Sequence, residues 1–215
     1  MLKKALTLVS LTRTPRRLQE SAVEYGRLAL TKLGFTFYQT DRFFRGNDDR
    51  RILETLILPW YASRQEFQTI VFTGCQWYTM GYRQLFPGRR WHFLEIDAVM
   101  ARRYGGQDCV HGACEEVDHH FPPESLDLVL FNAVFGYGLN TPIQLERALY
   151  GFHRCLRPGG EMLFGWDDVP AHAPFDPLTA PGFEKFERIL FPPLDRDRVM
   201  SCDPWRKTWI FLKKP

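Results

Sequence analysis

The segment from Thr69 to Asp97, TIVFTGCQWYTMGYRQLFPGRRWHFLEID, admits few folds. Ile70, Val71 and Phe72 form an apolar run that stops at Gly74, the pattern of a buried parallel strand. Met80 to Phe86 predicts two helical turns, broken by Pro87-Gly88. Trp91 to Ile96 predicts a second strand with Glu95 near its far end. An acid about 20 positions beyond a strand-ending glycine is the arrangement that holds a ribose in nucleotide-binding βαβ units. Glu95 stands in that relation to Gly74. Its carboxylate would accept hydrogen bonds from both ribose hydroxyls at the carboxyl edge of the sheet.

The rest of the chain continues the alternation. Thr14-Pro15 predicts a helix start and Gly34 its end, while Phe35 to Phe44 alternates aromatic and polar residues as a loop or short strand. Asn47-Asp48-Asp49 predicts another helix, with Ile52, Leu53, Leu56 and Ile57 on its apolar face and Pro59 as its stop. After Asp97 come a short helix (Ala98 to Tyr104) and strands at Cys109 to His111 and Leu126 to Asn132. Thr141-Pro142 opens a helix whose face is Leu145, Ala148, Leu149, Phe152 and Leu156. A strand at Glu161 to Trp166, a loop at Asp167 to Pro181 and a helix at Gly182 to Leu190 follow. Arg198 to Cys202 and Thr208 to Leu212 predict a closing antiparallel pair. The expected architecture is α/β, a Rossmann-like seven-stranded sheet with helices on both faces and an antiparallel last strand. Residues 1–68 are expected to form a helical extension or cap, and 69–215 the α/β core.

Composition narrows the function classes. A net charge of +3, spread along 215 residues, does not mark a nucleic-acid surface. No stretch reaches the 18 or so apolar residues that a membrane span needs. Neither a nucleic-acid nor a membrane partner is expected; a homodimer stays open. Five cysteines without C-x-x-C spacing argue against a structural zinc site, and their odd number fits reduced thiols. A cytoplasmic location is expected. His119-His120 has no evident third ligand, so no metal is expected. The 18 phenylalanines and 6 tryptophans fit either a large aromatic core or an apolar substrate pocket.

Several short motifs together resemble the cofactor half of class I S-adenosylmethionine-dependent methyltransferases, from Thr69 to about Asp168. In that family the first strand usually ends in D/E-x-G-x-G-x-G. Here the aligned stretch is Phe72-Thr73-Gly74-Cys75-Gln76-Trp77-Tyr78, which keeps only the first glycine. Glu95-Ile96-Asp97-Ala98-Val99-Met100 is similar to the family's D-x-S-x-x-M. Gly112-Ala113-Cys114 is similar to the adenine-side G-D-A turn, with Ala113 in place of the acid. Leu126 to Asn132 looks like the fourth strand, and Leu156-Arg157-Pro158-Gly159-Gly160 like the turn before the fifth. The resemblance implies S-adenosylmethionine as cofactor, held by Thr73, Gly74, Gln76, Trp77, Glu95, Ala113, Cys114 and Asn132.

Methyl transfer is a direct displacement that needs a nucleophile in line and, for a hydroxyl, a base. The candidate catalytic residues are Asn132, Asp167, Asp168 and His172, all at or beyond the carboxyl ends of the fourth and fifth strands. Asn132-Ala133-Val134-Phe135 lacks the Asn-Pro-Pro-Tyr of enzymes that methylate nucleic-acid amines, which points to a small-molecule acceptor, in secondary metabolism or glycan modification. The alternative is a methyltransferase-like protein without methylation activity, serving as a partner subunit or turning the pocket to other chemistry. It draws on the lost glycines and on Trp77 and Tyr78, which could fill the cofactor's space.

Overall fold

The structure, a computed structural model, describes residues 48–215 and Gly26. The helix expected from Thr14 and the segment Phe35 to Phe44 lie outside the described residues. Eight strands form one sheet: β1 (Thr69–Thr73), β2 (Arg90–Glu95), β3 (Cys109–His111), β4 (Leu126–Asn132), β5 (Leu156–Asp167), β6 (Glu187–Arg188), β7 (Arg198–Met200) and β8 (Lys207–Lys213). The order is β3-β2-β1-β4-β5-β8-β6, with β7 also on β8. β1 to β5 are mutually parallel, and β8 runs antiparallel to β5. β6 and β7 pair with successive parts of β8, Arg188 with Leu212 and Arg198 with Ile210. They are two pieces of one lane, interrupted by a turn that contains Pro192-Pro193. Eight strands thus occupy the seven expected lanes.

All five residues of β1 are buried, so both faces of the sheet are covered. Alternate residues divide the apolar side chains between two cores. On one face Val71, Val129, Phe131, Met162 and Phe164 pack against Leu145, Ala148, Leu149 and Phe152 of the helix Pro142–Cys155. On the other, Ile70, Phe72, Leu128, Leu130, Leu163 and Phe211 meet Leu53, Ile57, Leu58 and Tyr61. We call the helix of residues 48–63 α1, that of residues 98–105 α2, the short helix Val117–His120 α3 and Pro142–Cys155 α4. The α4 start is as expected: Thr141 and Gln144 make a reciprocal capping box, with Pro142 in the first turn. None of the helices among the described residues is long and apolar enough to cross a membrane.

Three local expectations need correction. Pro59 does not stop α1, which runs on to Ser63. The turn before it, Leu53–Ile57, is a wide π turn closed by the Leu58 N–H on the Leu53 carbonyl. The following α segment restarts there, so Pro59 falls in a first turn where an N–H has no helical partner to lose. Met80 to Phe86 makes one 3-10 turn, Tyr82–Leu85, because Tyr82 is drawn into the core beside Phe72 and Trp91. Gly182 to Leu190 is not a helix: one 3-10 turn, Phe183–Lys185, leads into β6. Gly182 has a left-handed backbone (φ 107°), and the edge of β8 offers unpaired backbone groups that residues after Phe186 satisfy.

One ion pair ties α1 to the sheet. Arg64 donates two parallel hydrogen bonds of 2.8 Å to Glu161, whose side chain is 4% exposed, while its guanidinium lies over Trp60 and Phe67. Arg64→Ala should destabilise the protein by about 2–3 kcal/mol, since it strands a buried carboxylate. Arg64→Met with Glu161→Leu should recover most of that loss. Urea unfolding of the single and double variants checks both outcomes.

Candidate active site

A cleft of about 610 Å³ opens at the carboxyl ends of β1, β2, β4 and β5. This is where an open α/β sheet leaves room for ligands, since its parallel strands all deliver their loops to one edge. Glu95, the last residue of β2, is 8% exposed and holds the first loop in place. Its Oε2 accepts the Cys75 N–H and its Oε1 the Asp97 N–H, both at 2.8 Å. Each oxygen keeps acceptor capacity, because an ionised carboxylate offers about four lone-pair sites. Asp97 in turn caps α2 by accepting the N–H groups of Val99 and Met100.

Gly74 adopts φ 78°, and the space where a Cβ would stand is open. The rest of the loop shows how the glycine losses are absorbed. Gly74 N–H donates to the Leu94 carbonyl, and Gln76 N–H to the Thr79 hydroxyl. Trp77 is absent from the cleft wall and packs against the α1-side core, so it does not fill the cofactor space. Tyr78 does line the cleft, with the Arg50 guanidinium 4.7 Å from its ring centroid. Arg50 and its neighbour Asp49 come from the first turn of α1 and also face the cleft.

At the β4 and β5 ends, the Asn132 carbonyl oxygen accepts the buried Trp209 indole N–H at 3.0 Å. Its amide nitrogen is thereby left for the cleft. The Asn132 backbone N–H donates to the Thr73 hydroxyl at 3.2 Å, and the next residue, Ala133, is held at φ 58°. A non-glycine residue in that region stores strain of order 1 kcal/mol, a cost met most often at functional sites. Asp167 closes the wall. Its Oδ2 accepts the Tyr137 hydroxyl at 2.5 Å, and its Oδ1 pairs with the Lys207 ammonium at 3.0 Å. Asp167 and Lys207 face each other because β5 and β8 pair them in register. Burial pushes the Lys207 ammonium down to about 8, a loss that Asp167 only partly offsets. Burial and the same carboxylate push the Tyr137 hydroxyl up.

The cleft therefore gathers Thr73, Gly74, Gln76, Glu95, Asn132 and Asp167 from the expected set. Trp77 stands outside it, as just described. Ala113 and Cys114 lie at the short turn after β3, Cys114 buried, and neither lines the cleft. Asp168 points elsewhere and pairs with Arg198 at 2.9 Å. His172 sits behind the wall, stacked on Tyr137 (centroids 4.8 Å apart) and edge-on to Trp205. A Cβ on Gly136 would fall 1.8 Å from the His172 carbonyl oxygen, so only glycine lets that loop close on the site. Among the described residues, no group of three or more potential metal ligands converges.

Residues 82–164 match the protein family described as "Methyltransferase domain". The fold agrees with solved structures of the same kind at low identity. An N-methyltransferase, NodS, from Bradyrhizobium japonicum WM9 in complex with S-adenosyl-L-homocysteine is 15% identical, with a TM-score of 0.62 over 90% of this chain and 97% of that one. A TehB-like SAM-dependent methyltransferase from Corynebacterium glutamicum is 18% identical, with a TM-score of 0.59 over 94% of this chain and 100% of that one. Residues 82–164 thus match a methyltransferase domain, and the sheet around them has the fold of S-adenosylmethionine-dependent methyltransferases. A third similar structure is Burkholderia thailandensis 1,6-didemethyltoxoflavin-N1-methyltransferase with bound 1,6-didemethyltoxoflavin and S-adenosylhomocysteine; it is 15% identical, with a TM-score of 0.52 over 96% of this chain and 93% of that one. No curated protein matches the chain by sequence.

S-adenosylmethionine is the cofactor of this methyltransferase class, and the residues present fit it: a buried carboxylate with spare lone pairs, an open Gly74 and a continuous cleft. Among the cleft residues that the sequence did not disclose are Asp49, Arg50, Trp205 and Lys207. The one visible signal was Lys207 at the head of the apolar strand Thr208 to Leu212, a charge where a buried strand begins.

Lys207 makes a pH prediction with a definite sign. Its proton is held more weakly in the folded chain than in the unfolded one, so the charged form opposes folding below about pH 8. That opposition fades as pH rises from about 8 toward the ordinary lysine value of 10.5. Relative to Lys207→Met, the unaltered methyltransferase should gain about 2 kcal/mol of stability between pH 7 and 9.5. Denaturant unfolding of both proteins at the two pH values measures the change.

Proposed function

We propose that this methyltransferase transfers a methyl group from S-adenosylmethionine to a small-molecule acceptor. The observation that carries this reading is the single cleft joining Glu95 to the Asn132, Asp167 and Lys207 cluster. In it, Glu95 would accept the ribose hydroxyls through the lone pairs left by Cys75 and Asp97. Gly74 and the backbone beside it would border the sugar, and Asn132 would present its amide nitrogen toward the reacting centre. When bound, the cofactor supplies a methyl group on a sulfonium, already activated for displacement. The protein's part is to orient the acceptor, exclude water and receive a proton.

Asp167 and Lys207 are suited to the last task. A lysine held near pH 8 is partly neutral in the working range, and its carboxylate partner steadies the charged form that results. Tyr78, Tyr137 and Trp205 give the mouth an aromatic wall of the kind that takes a flat organic molecule. The neighbour from Burkholderia holds such a compound, 1,6-didemethyltoxoflavin. The scattered charge of +3 supports a small acceptor over a nucleic acid. The domain division at about residue 68, with an N-terminal cap over the acceptor, belongs to the same proposal. α1 supports it by contributing Asp49 and Arg50 to the cleft.

Two measurements test the reading. Glu95→Ala should weaken S-adenosylhomocysteine binding by at least about tenfold in calorimetry, through loss of charged hydrogen bonds. Glu95→Gln should lose less, since its oxygen can replace only one of the two backbone links. Incubation with labelled S-adenosylmethionine and panels of phenols, amines and heteroaromatics should yield methylated small molecules. Label appearing only on RNA or protein would overturn the choice of acceptor class.

A further inference from the structure

We propose that Cys75 and Cys109 form a peroxide-sensitive thiol pair whose disulfide weakens cofactor binding. The effect on binding rests on the cofactor reading above; the pair itself does not.

The first ground is that the two sulfurs share one pocket. Cys109 begins β3 in register with Phe93 of β2, and Cys75 lies two residues past the end of β1. β2 stands between those strands, so the two side chains meet across its face, in the α1-side core. The end of α2 covers them. A Cβ on Gly105 would fall 2.3 Å from the Cys109 sulfur and 3.7 Å from that of Cys75, so only glycine leaves both of them room. The Cys75 thiol also has the Met100 carbonyl of α2 at 3.4 Å.

The second ground is that the two sulfurs are chemically unlike. A hydrogen bond from the Cys75 thiol favours the Cys109 thiolate and holds Cys109 below the ordinary thiol value. The same bond, together with burial, pushes Cys75 up. Cys109 is half-buried, so a small oxidant can reach it. Cys114 and Cys155 lack this activation, since burial pushes both thiols up. One sulfur of the pair is thus the attacking group, and its neighbour is the resolving group.

The chemistry balances with hydrogen peroxide as the oxidant. The Cys109 thiolate attacks one peroxide oxygen, the O–O bond breaks and hydroxide leaves, giving a sulfenic acid. That hydroxide takes up the proton Cys109 released. The Cys75 sulfur then attacks the Cys109 sulfur, the S–O bond breaks, and the hydroxyl departs as water with the Cys75 proton. Two thiols lose two electrons, and one peroxide becomes two waters.

The third ground is what the pair is attached to. The Cys75 N–H is one of the two donors that fix Glu95, at 2.8 Å, and Cys75 itself lines the cleft. An S–S bond is shorter than any contact between thiols, so closing it draws the Cys75 loop toward the start of β3. Glu95 then loses a donor that orients it, and the cleft wall shifts. Linkage also runs the other way: a cofactor that fits the reduced form better favours the thiols over the disulfide.

Peroxide treatment of the full chain, followed by digestion without reductant, tests the pair. Mass spectrometry should find the Cys75 and Cys109 peptides joined, and dithiothreitol should separate them. In calorimetry the oxidised protein should bind S-adenosylhomocysteine about tenfold or more weaker, as loss of one charge-assisted hydrogen bond requires. Dithiothreitol should restore the affinity. Saturating S-adenosylhomocysteine should raise the reduction potential of the pair by about 30 mV for each tenfold difference in affinity. Cys109→Ser should bind the ligand as the reduced protein does and show no response to peroxide. Cys109 found as a sulfinic acid, or linked instead to Cys202, overturns the pair. A joined pair with unchanged affinity overturns its control of binding. If the reduced protein does not bind S-adenosylhomocysteine, the cofactor reading fails and that control falls with it, while the joined peptides still decide the pair.

Discussion

One buried carboxylate holds the active edge of this protein together. Glu95 ends β2, and its two oxygens reach backward to the loop after β1 and forward to the start of α2. A carboxylate this deep is stable only when its charge is met by donors, and two backbone N–H groups meet it here. The cost of burying the acid is thereby converted into a fixed loop geometry. That geometry keeps the cleft open even though bulky residues have replaced two glycines.

Around this point the sheet divides labour between its two ends. At the amino-terminal end, Asp127 accepts the N–H groups of Gln68 and Thr69 at 2.9 and 2.7 Å and pairs with Arg157. Both Asp127 oxygens are used to join neighbouring strands, and the arrangement reads as fastening. At the carboxyl end, Asp167 is joined to Tyr137 and Lys207, which also face the cleft, and the Asn132 side-chain oxygen to the buried Trp209 indole. Strain at Ala133 and a weakly held proton at Lys207 occur at this end too. Stability and chemistry are separated along the strand direction, as a parallel sheet permits.

The sequence made the central strands plain because their signals are local. Ile70 to Phe72, Leu128 to Phe131 and Leu163 to Phe164 are short apolar runs, and two covered faces demand such runs. Glu95 was legible for a similar reason, since chain distance from Gly74 fixes it at the strand end. What stayed hidden depends on pairing between distant segments. Glu187 and Arg188 form a strand only because β8 has an open edge, and no periodicity in the residues announces that. Lys207 reaches the cleft only through its register with Asp167, forty residues earlier. The direction of Trp77 was likewise undecidable from its neighbours; the α1-side core had room for an indole, and that settled it.

The wide turn at Leu53–Ile57 carries a consequence for the whole first helix. A π turn holds one residue more than the α-helix around it, and one residue is about 100° of rotation. The segment before the turn and the segment after it are therefore out of phase. Leu58 and Tyr61 are buried against the sheet, while Asp49 and Arg50 are turned to the cleft. The inserted residue works as an index between two requirements that one regular helix would not meet together. Removing a single residue from this turn would keep every strand and every core contact downstream, yet swing the head of the helix around its axis and leave the cleft without its guanidinium.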